Sequence, residues 1–137
     1  MIPIDQKYLH DPINNSIGDC HRACIASVLE LSIDDVPHFG LLSSREGRIV
    51  ELQFLAKYGY TIYSIYGDGA MGNHPEMLND DNEYYFAIGP SPRDKTISHQ
   101  VVCHKGEIVH DPHPDKSGLA GINHFEILLK INDSNKL

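Results

Sequence analysis

The sequence predicts an α+β domain in which helices come first and the first of them packs on an antiparallel sheet formed by the later part of the chain. Apolar residues recur at helical spacing in the first part of the chain, and short runs of aromatic and β-branched residues follow after Gly59. Helices that precede the strands, instead of alternating with them, are typical of this fold class. The length of 137 residues, without repeats or a linker, indicates a single domain over residues 1–137.

Two helices are expected before Gly59. The first runs from about Cys20 to Leu31, and Asp19 stands before it as a favourable N-cap residue. The second runs over residues 45–58, and Gly59 suits a helix C-terminus because glycine adopts the left-handed conformation without strain. The inner face of the first helix is predicted from small or apolar residues at helical spacing: Ala23, Cys24, Ser27, Val28 and Leu31.

The strands are expected in the second part of the chain. The segments YTIYSIY at 60–66 and YYFAIG at 84–89 each predict a strand, and residues 67–82 between them form a loop rich in glycine, asparagine and aspartate. The glycines of this loop lack the strand–loop–helix context of a phosphate-binding loop. Residues 98–111 predict a hairpin, and residues 124–131 predict the last strand.

Composition and charge exclude several classes of partner. The net charge of −8 argues against nucleic acid, whose phosphates require clustered lysine and arginine side chains. No run approaches the roughly 18 apolar residues of a membrane-spanning helix, and the first residues lack the pattern of a signal peptide. Three cysteines are an odd and poor set for a disulfide framework. We therefore expect a cytoplasmic protein with free thiols and no membrane partner.

Cys20 is the first candidate catalytic residue. It begins the predicted first helix, in the stretch SIGDCHRACIASVLEL. Unpaired amide N–H groups at a helix N-terminus favour a negative charge, so they favour a thiolate over a thiol at this position. A cysteine at the start of a helix is by itself more often structural, so the interpretation depends on a base nearby. The other two cysteines, Cys24 and Cys103, are expected to pack in the core.

The predicted hairpin supplies a base and a carboxylate. A two-residue turn at residues 105–106 would place Asp111 on the face opposite to His99. A three-residue turn at residues 104–106 pairs these two side chains directly, and glycine in its last position suits the left-handed residue that such a turn requires. We prefer the second register. A carboxylate beside a histidine orients the ring and stabilises its cation, so Cys20, His99 and Asp111 form a predicted nucleophile, base and orienting residue.

The same residues resemble a known group of enzymes. The stretch GDCHRAC at 18–24 resembles the Asp-Cys-Gly-x-x-Cys stretch of the bacteriocin-processing peptidase domains of ABC exporters. The stretch SHQVVCHKGEIVHDP at 98–112 resembles their His-x-Val-Val segment followed by Asp-Pro, and VHDPHPDKSGL resembles small bacterial and phage proteins of the same papain-like class. The resemblance implies a papain-like cysteine peptidase fold, with Cys20 as nucleophile, His99 as base and Asp111 as orienting residue.

The resemblance leaves the oxyanion donor and the substrate open. The exporter domains carry a glutamine donor shortly before the cysteine, at the place where this chain has Asn14. Gln6 lies further upstream, across an apparent insertion of HDPINN, and we favour it because its longer side chain best reproduces the usual donor; Asn15 is a third candidate. His21 stands in place of the family's glycine. We expect no attached exporter, so the leader-peptide substrate is not expected to transfer.

We expect a cysteine-dependent hydrolase that cleaves a peptide or isopeptide amide through an acyl-enzyme on Cys20, with a peptide or protein as partner and no cofactor. Acyl transfer to an amine and deamidation would use the same acyl-enzyme, and a binding protein without turnover is a further alternative. A zinc site is disfavoured, because strand alternation separates two of its ligands and the spacing matches no closed tetrahedral motif. Its candidate ligands are Cys103, His104, His110 and His113. The oligomeric state does not follow from the sequence.

Overall fold

The computed structural model describes residues 1–66, 74 and 83–131 of the chain. In these residues two α-helices come first, α1 at Cys20–Leu29 and α2 at Ser44–Lys57. Five strands follow, which are β1 at Tyr60–Ile65, β2 at Tyr84–Pro90, β3 at Ser98–His104, β4 at Glu107–His110 and β5 at His124–Lys130. None of the helices in this part of the chain is both long and apolar enough to cross a membrane.

The five strands form one antiparallel sheet in the order β1-β5-β2-β3-β4. Strand β5, which comes last in the chain, pairs with β1 on one side and with β2 on the other. The helices pack on this sheet, α1 against β3 and α2 against β1. The prediction of an α+β domain with helices on an antiparallel sheet is therefore confirmed.

The predicted elements agree with the structure to within two residues at each end. Helix α1 ends two residues before Leu31, because Glu30 takes the left-handed conformation with φ of 58°. Helix α2 ends as expected before Gly59, whose φ of 82° is a conformation that glycine adopts without strain. The loop predicted at residues 67–82 lies outside the described residues, except for His74.

In the described part of the chain, a buried cluster lies on each face of the sheet. The cluster on the helix side includes Ile25 of α1 and Val102 of β3. The cluster on the other face includes Val101 and Cys103 of β3. Alternation along β3 accounts for this division, since successive side chains of a strand point to opposite faces. The same alternation sends His99 and Gln100, which are neighbours on β3, to opposite faces of the sheet.

The start of α1 differs from the prediction in one respect. Asp19 occupies the N-cap position, but its side chain makes no capping hydrogen bond, so the predicted side-chain cap is wrong. Its carboxylate instead accepts a hydrogen bond from the Tyr8 backbone N–H at 2.9 Å and one from Arg22 Nη1 at 3.3 Å. The buried Asp19 therefore ties the N-terminal segment to α1, and it leaves the N–H groups of the first helical turn to other acceptors.

The turn between β3 and β4 has two residues, so the preference for a three-residue turn is wrong. Lys105 and Gly106 form it with φ values of 51° and 81°, as a type I′ turn requires. His104 consequently pairs with Glu107 instead of standing in the loop. Lysine at the first turn position carries a left-handed conformation that is uncommon for a residue with a Cβ atom.

A β-bulge then returns Asp111 to the face of His99, which the turn alone would have prevented. The register shifts by one residue between Val102 and Cys103, so that Val102 pairs with His110. One extra residue on β4 reverses which face each later side chain occupies. Asp111 therefore follows β4 on the same face as His99, and the two side chains meet although the predicted register was wrong.

Candidate active site

Cys20 is the first residue of α1 and lines a cleft of about 500 Å³. Gln6 from the N-terminal segment and His99 from β3 line the same cleft. Asp111 contacts His99 from the loop after β4. The structure thus brings together around one cleft all four residues that the sequence singled out.

His99 is held between Asp111 and Cys20. Its Nε2 atom lies 2.7 Å from Oδ1 of Asp111, and both side chains are almost fully buried. Nδ1 is therefore the ring nitrogen that is left for the Cys20 thiol. Burial alone would lower the pKa of His99, but the hydrogen bonds with Asp111 and with the Cys20 side chain raise it to about 9. The ring is thus favoured as a cation near neutral pH.

Asp111 is fixed by more than its histidine partner. Its Oδ1 also accepts a hydrogen bond from the backbone N–H of His113 at 2.9 Å, and its Oδ2 accepts one from the backbone N–H of Gly118 at 2.7 Å. Burial tends to raise the pKa of Asp111, but these hydrogen bonds together with that of His99 lower it. The carboxylate therefore stays charged and oriented beside the imidazole ring.

Gln6 brings a side-chain amide to the cleft that Cys20 lines. Its backbone N–H donates to the carbonyl oxygen of Pro112 at 2.9 Å, which fastens the segment beside the loop that carries Asp111. Its Nε2 donates one hydrogen bond to the carbonyl oxygen of Tyr8 at 3.1 Å, and the second N–H of the amide is left for a ligand. A Cβ atom on Gly18 would stand 3.4 Å from this nitrogen, so glycine there permits the close approach.

The two alternative donors are placed differently. The Asn14 side chain donates to Oδ2 of Asp11 at 2.6 Å within the short helix Pro12–Asn14. Asn15 is an exposed residue in the left-handed conformation, with φ of 55°. Neither residue lines the cleft that contains Cys20. The structure therefore favours Gln6 over both asparagines as the amide that faces the cleft.

Other walls of the cleft come from residues to which the sequence gave no part in the acyl chemistry. Arg93, in the connection between β2 and β3, donates through Nη1 to Oδ1 of Asp115 at 2.8 Å and to Oγ of Ser117 at 2.9 Å. The ring of His113 packs edge-on against the ring of His99, with 6.2 Å between the centroids. The only sequence signal for His113 is its position directly after Asp-Pro, which is a weak one.

The other two thiols are closed to ligands. Cys24 and Cys103 are both fully buried, and burial raises the pKa of both, that of Cys103 to about 12. The prediction that they pack in the core is confirmed. All three cysteines are free thiols, and Cys20 alone of the three lies at a cleft.

The residues of the disfavoured zinc site do not converge. Cys103 is buried on one face of the sheet, and the His104 ring stacks on Tyr84. His110 is buried and its Nε2 bonds the carbonyl oxygen of Ile4 at 2.8 Å, whereas His113 lies at the cleft. Within residues 1–66, 74 and 83–131, no group of three or more histidine, cysteine or acidic side chains is arranged to hold a metal ion.

No family model, no curated protein and no solved structure matches the chain. The functional interpretation therefore depends on the chemistry of the residues around the cleft. A partly exposed thiol at a helix N-terminus, a histidine held by a carboxylate and an amide with a free N–H together have the groups needed for acyl chemistry.

Proposed function

We propose that the protein is a cysteine-dependent hydrolase with a papain-like arrangement of Cys20, His99 and Asp111. One observation carries this proposal: the His99 ring bonds Asp111 through Nε2 and interacts with the Cys20 side chain at an open cleft. A histidine that served only the core would have no reason to meet a thiol there. The imidazolium form of His99 favours the thiolate form of Cys20, which is the nucleophilic form.

The reaction begins when the Cys20 thiolate attacks the carbonyl carbon of an amide and forms a carbon–sulfur bond. The backbone N–H of Cys20 and the free N–H of Gln6 stabilise the negative charge on the former carbonyl oxygen. His99 then gives its proton to the leaving nitrogen as the carbon–nitrogen bond breaks, which leaves a thioester and a neutral imidazole. Water attacks the thioester, His99 takes its proton, and the carboxylic acid departs from the regenerated thiolate.

We propose a peptide or isopeptide amide as the substrate, in the cytoplasm, where three free thiols would remain reduced. The walls of the cleft combine apolar and charged groups, which suits a peptide segment. If an amine replaces water in the second step, the same intermediate gives acyl transfer, and a glutamine side chain as substrate gives deamidation. A panel of peptide, isopeptide and glutamine-amide substrates, followed by mass spectrometry of the products, separates these outcomes.

The first experiment is alkylation with iodoacetamide at about pH 6, where an ordinary thiol is almost entirely protonated. We expect modification of Cys20 without modification of Cys24 or Cys103. His99→Ala should lower the rate by about 30-fold or more, because the thiolate loses its cationic partner. His124→Ala is the matched control, since it removes a partly buried histidine ring of β5 that stacks on Tyr66 away from the cleft.

The outcomes distinguish an enzyme from a binding protein. Rapid and selective alkylation of Cys20 that depends on His99 and not on His124 would support the hydrolase. A Cys20 that reacts at the rate of a free thiol in both the unmodified chain and His99→Ala would overturn it, and would leave a binding protein without turnover.

A further inference from the structure

The residue after the nucleophile and the residue after the base contact each other. His21 follows Cys20 at the start of α1. On β3, Gln100 follows His99, and Nδ1 of His21 lies 2.7 Å from Oε1 of Gln100. We infer that this contact, the His21–Gln100 clamp, is a positioning device that holds Cys20 and His99 at reacting distance. The inference rests on the proposed function and adds two residues to it.

The clamp lies directly behind the reacting side chains. Gln100 points to the helix side of the sheet, because His99 before it on β3 points to the other face. Cys24, one turn after Cys20, places its Sγ atom 3.5 Å from the carbonyl oxygen of Gln100 on the same side. Each clamp residue is joined to its reacting neighbour by one peptide bond. A shift of α1 along β3 would therefore break the clamp and separate thiol from imidazole together.

Glu51 anchors the clamp to the second helix. Nε2 of His21 bonds Oε2 of Glu51, which is only 2% exposed. Arg48 donates to Oε1 of Glu51 at 2.5 Å and to Oε2 of Glu126, on β5, at 3.0 Å. The position of His21 is thus fixed from α2 and from the sheet as well as from its own helix.

Both nitrogens of the His21 ring are engaged in the clamp. Nδ1 contacts Oε1 of Gln100 and Nε2 contacts Oε2 of Glu51, so the ring cannot rotate without losing a contact on each side. The rings of two phenylalanines, Phe39 and Phe86, also pack against the His21 ring.

The side-chain amide of Gln100 lowers the stability of the folded protein. Its Nε2 atom is buried and has no hydrogen-bond partner among the described residues. An unpaired buried donor of this kind costs about 1–3 kcal/mol, which an apolar residue of the same shape would avoid. A glutamine retained only for packing would not explain that cost, whereas one that must present an oxygen to His21 does.

The test compares two substitutions at the same position of the full chain. Gln100→Met keeps the length of the side chain and removes the acceptor, whereas Gln100→Glu keeps an acceptor oxygen in its place. The readout is the rate of Cys20 alkylation by iodoacetamide at about pH 6 and about pH 9. Leu128→Ala is the control for a general loss of stability, because Leu128 belongs to the helix-side core and lies on β5 opposite Ile62 of β1.

We expect Gln100→Met to lower the rate at the acidic pH by about 10-fold and to leave the rate at the alkaline pH within about threefold, because a displaced thiol still ionises there. Gln100→Glu should keep the acidic rate within about threefold. Equal acidic rates for Gln100→Met and the unmodified chain would overturn the clamp alone, as would an equal loss in Leu128→Ala. An unmodified chain whose Cys20 is unreactive at the acidic pH would instead overturn the proposed function.

A measurement on the unmodified chain applies if Gln100→Met does not fold. Nuclear Overhauser contacts in the NMR spectrum should place the His21 ring against the Gln100 side chain. A His21 ring without contact to Gln100 would overturn the clamp, because the two helix and strand residues would then not hold each other.

Discussion

The His99–Asp111 pair and the His21–Glu51 pair both lie beside β3, and they differ in what the second ring nitrogen meets. In the cleft, His99 bonds Asp111 and leaves its other nitrogen to the Cys20 thiol. On the helix side, His21 bonds Glu51 and turns its other nitrogen to an amide oxygen. In the proposed function the first pair activates a nucleophile, whereas in the proposed clamp the second pair holds a partner.

The two carboxylates of these pairs also differ in their surroundings. Burial raises the pKa of Glu51, and the charges of His21 and Arg48 only partly oppose this effect. The pKa of Asp111 is lowered in spite of burial, because two backbone N–H groups and His99 donate to it. A histidine beside a carboxylate is therefore not by itself the mark of an active site. Its interpretation depends on the donors of the carboxylate and on the group at the far side of the ring.

The largest expected effect comes from the carboxylate in the cleft. Asp111→Ala should lower the cleavage of the best amide of the substrate panel by about 10³-fold, because the His99 ring loses both its orientation and the charge that stabilises its cation. Asp111→Asn keeps an acceptor oxygen next to Nε2 and should retain more activity than the alanine variant. Steady-state rates of both variants at neutral pH measure this difference. Equal losses in the two variants would contradict the orienting role.

The next effect tests Gln6 as the oxyanion donor. Gln6→Leu should slow the acylation of Cys20 by a peptidyl anilide by about 10²-fold, because one of two donors to the developing charge is lost. Alkylation by iodoacetamide forms no oxyanion, so its rate should stay within about threefold. Mass spectrometry of Cys20 follows both reactions. Asn14→Leu serves as the control, because the Asn14 amide bonds Asp11 instead of facing the cleft.

The hairpin shows how much of this site the sequence could predict. Hydrophobic periodicity located both α-helices and all five strands of the described part of the chain, because burial on one face leaves a regular trace in the sequence. The hairpin then led to His99 and Asp111 as partners. The predicted register was wrong because Lys105 adopts the left-handed conformation as well as Gly106. From the sequence, only the glycine was expected to adopt it. The bulge between Val102 and Cys103 that restored the contact leaves no mark on the alternation.

Contacts between side chains from distant segments were the least predictable part. Asp19 is a suitable N-cap residue, yet its carboxylate serves Tyr8 and Arg22 because the N-terminal segment passes beside it. The contact of His21 with Gln100 joins residues 79 positions apart, and neither a histidine nor a glutamine at these positions predicts it. Local propensity carries no information on such pairings, because they depend on how α1 lies across β3.

The comparison of the two histidine–carboxylate pairs predicts that Glu51, the carboxylate on the helix side, contributes more to stability than to catalysis. Glu51→Ala leaves His21 and Arg48 without their shared acceptor and should lower the free energy of unfolding by about 2 kcal/mol. The loss of amide cleavage should be about 10-fold, far below that of Asp111→Ala. Urea unfolding and rate measurements on the same samples provide both numbers. The reverse ranking, with Glu51→Ala the more damaging to catalysis, would contradict the division of roles.

The smallest effect concerns the pH dependence of stability. The pKa of His99 is about 9 in the folded protein, against an ordinary value of 6.5. A group whose pKa is higher in the folded than in the unfolded protein stabilises the fold. This stabilisation is complete at pH values below the pKa of the unfolded state, and it is lost as the pH rises through the pKa of the folded state. The free energy of unfolding should therefore fall by about 1–3 kcal/mol between pH 6.5 and 9, and His99→Gln should remove most of this fall.

Three other histidines oppose this fall only near its acidic end. Burial lowers the pKa of His74, His113 and His124 below 6.5, so their folded and unfolded forms differ in protonation mainly at more acidic pH. They add stability as the pH rises toward 6.5, which is the opposite sign to His99. Urea titrations at a series of pH values, on the unmodified chain and on His99→Gln, therefore isolate the His99 contribution above that point. A fall of the same size in both proteins would show that His99 carries no extra proton in the folded state, and that the cleft pair holds its ring as a neutral base.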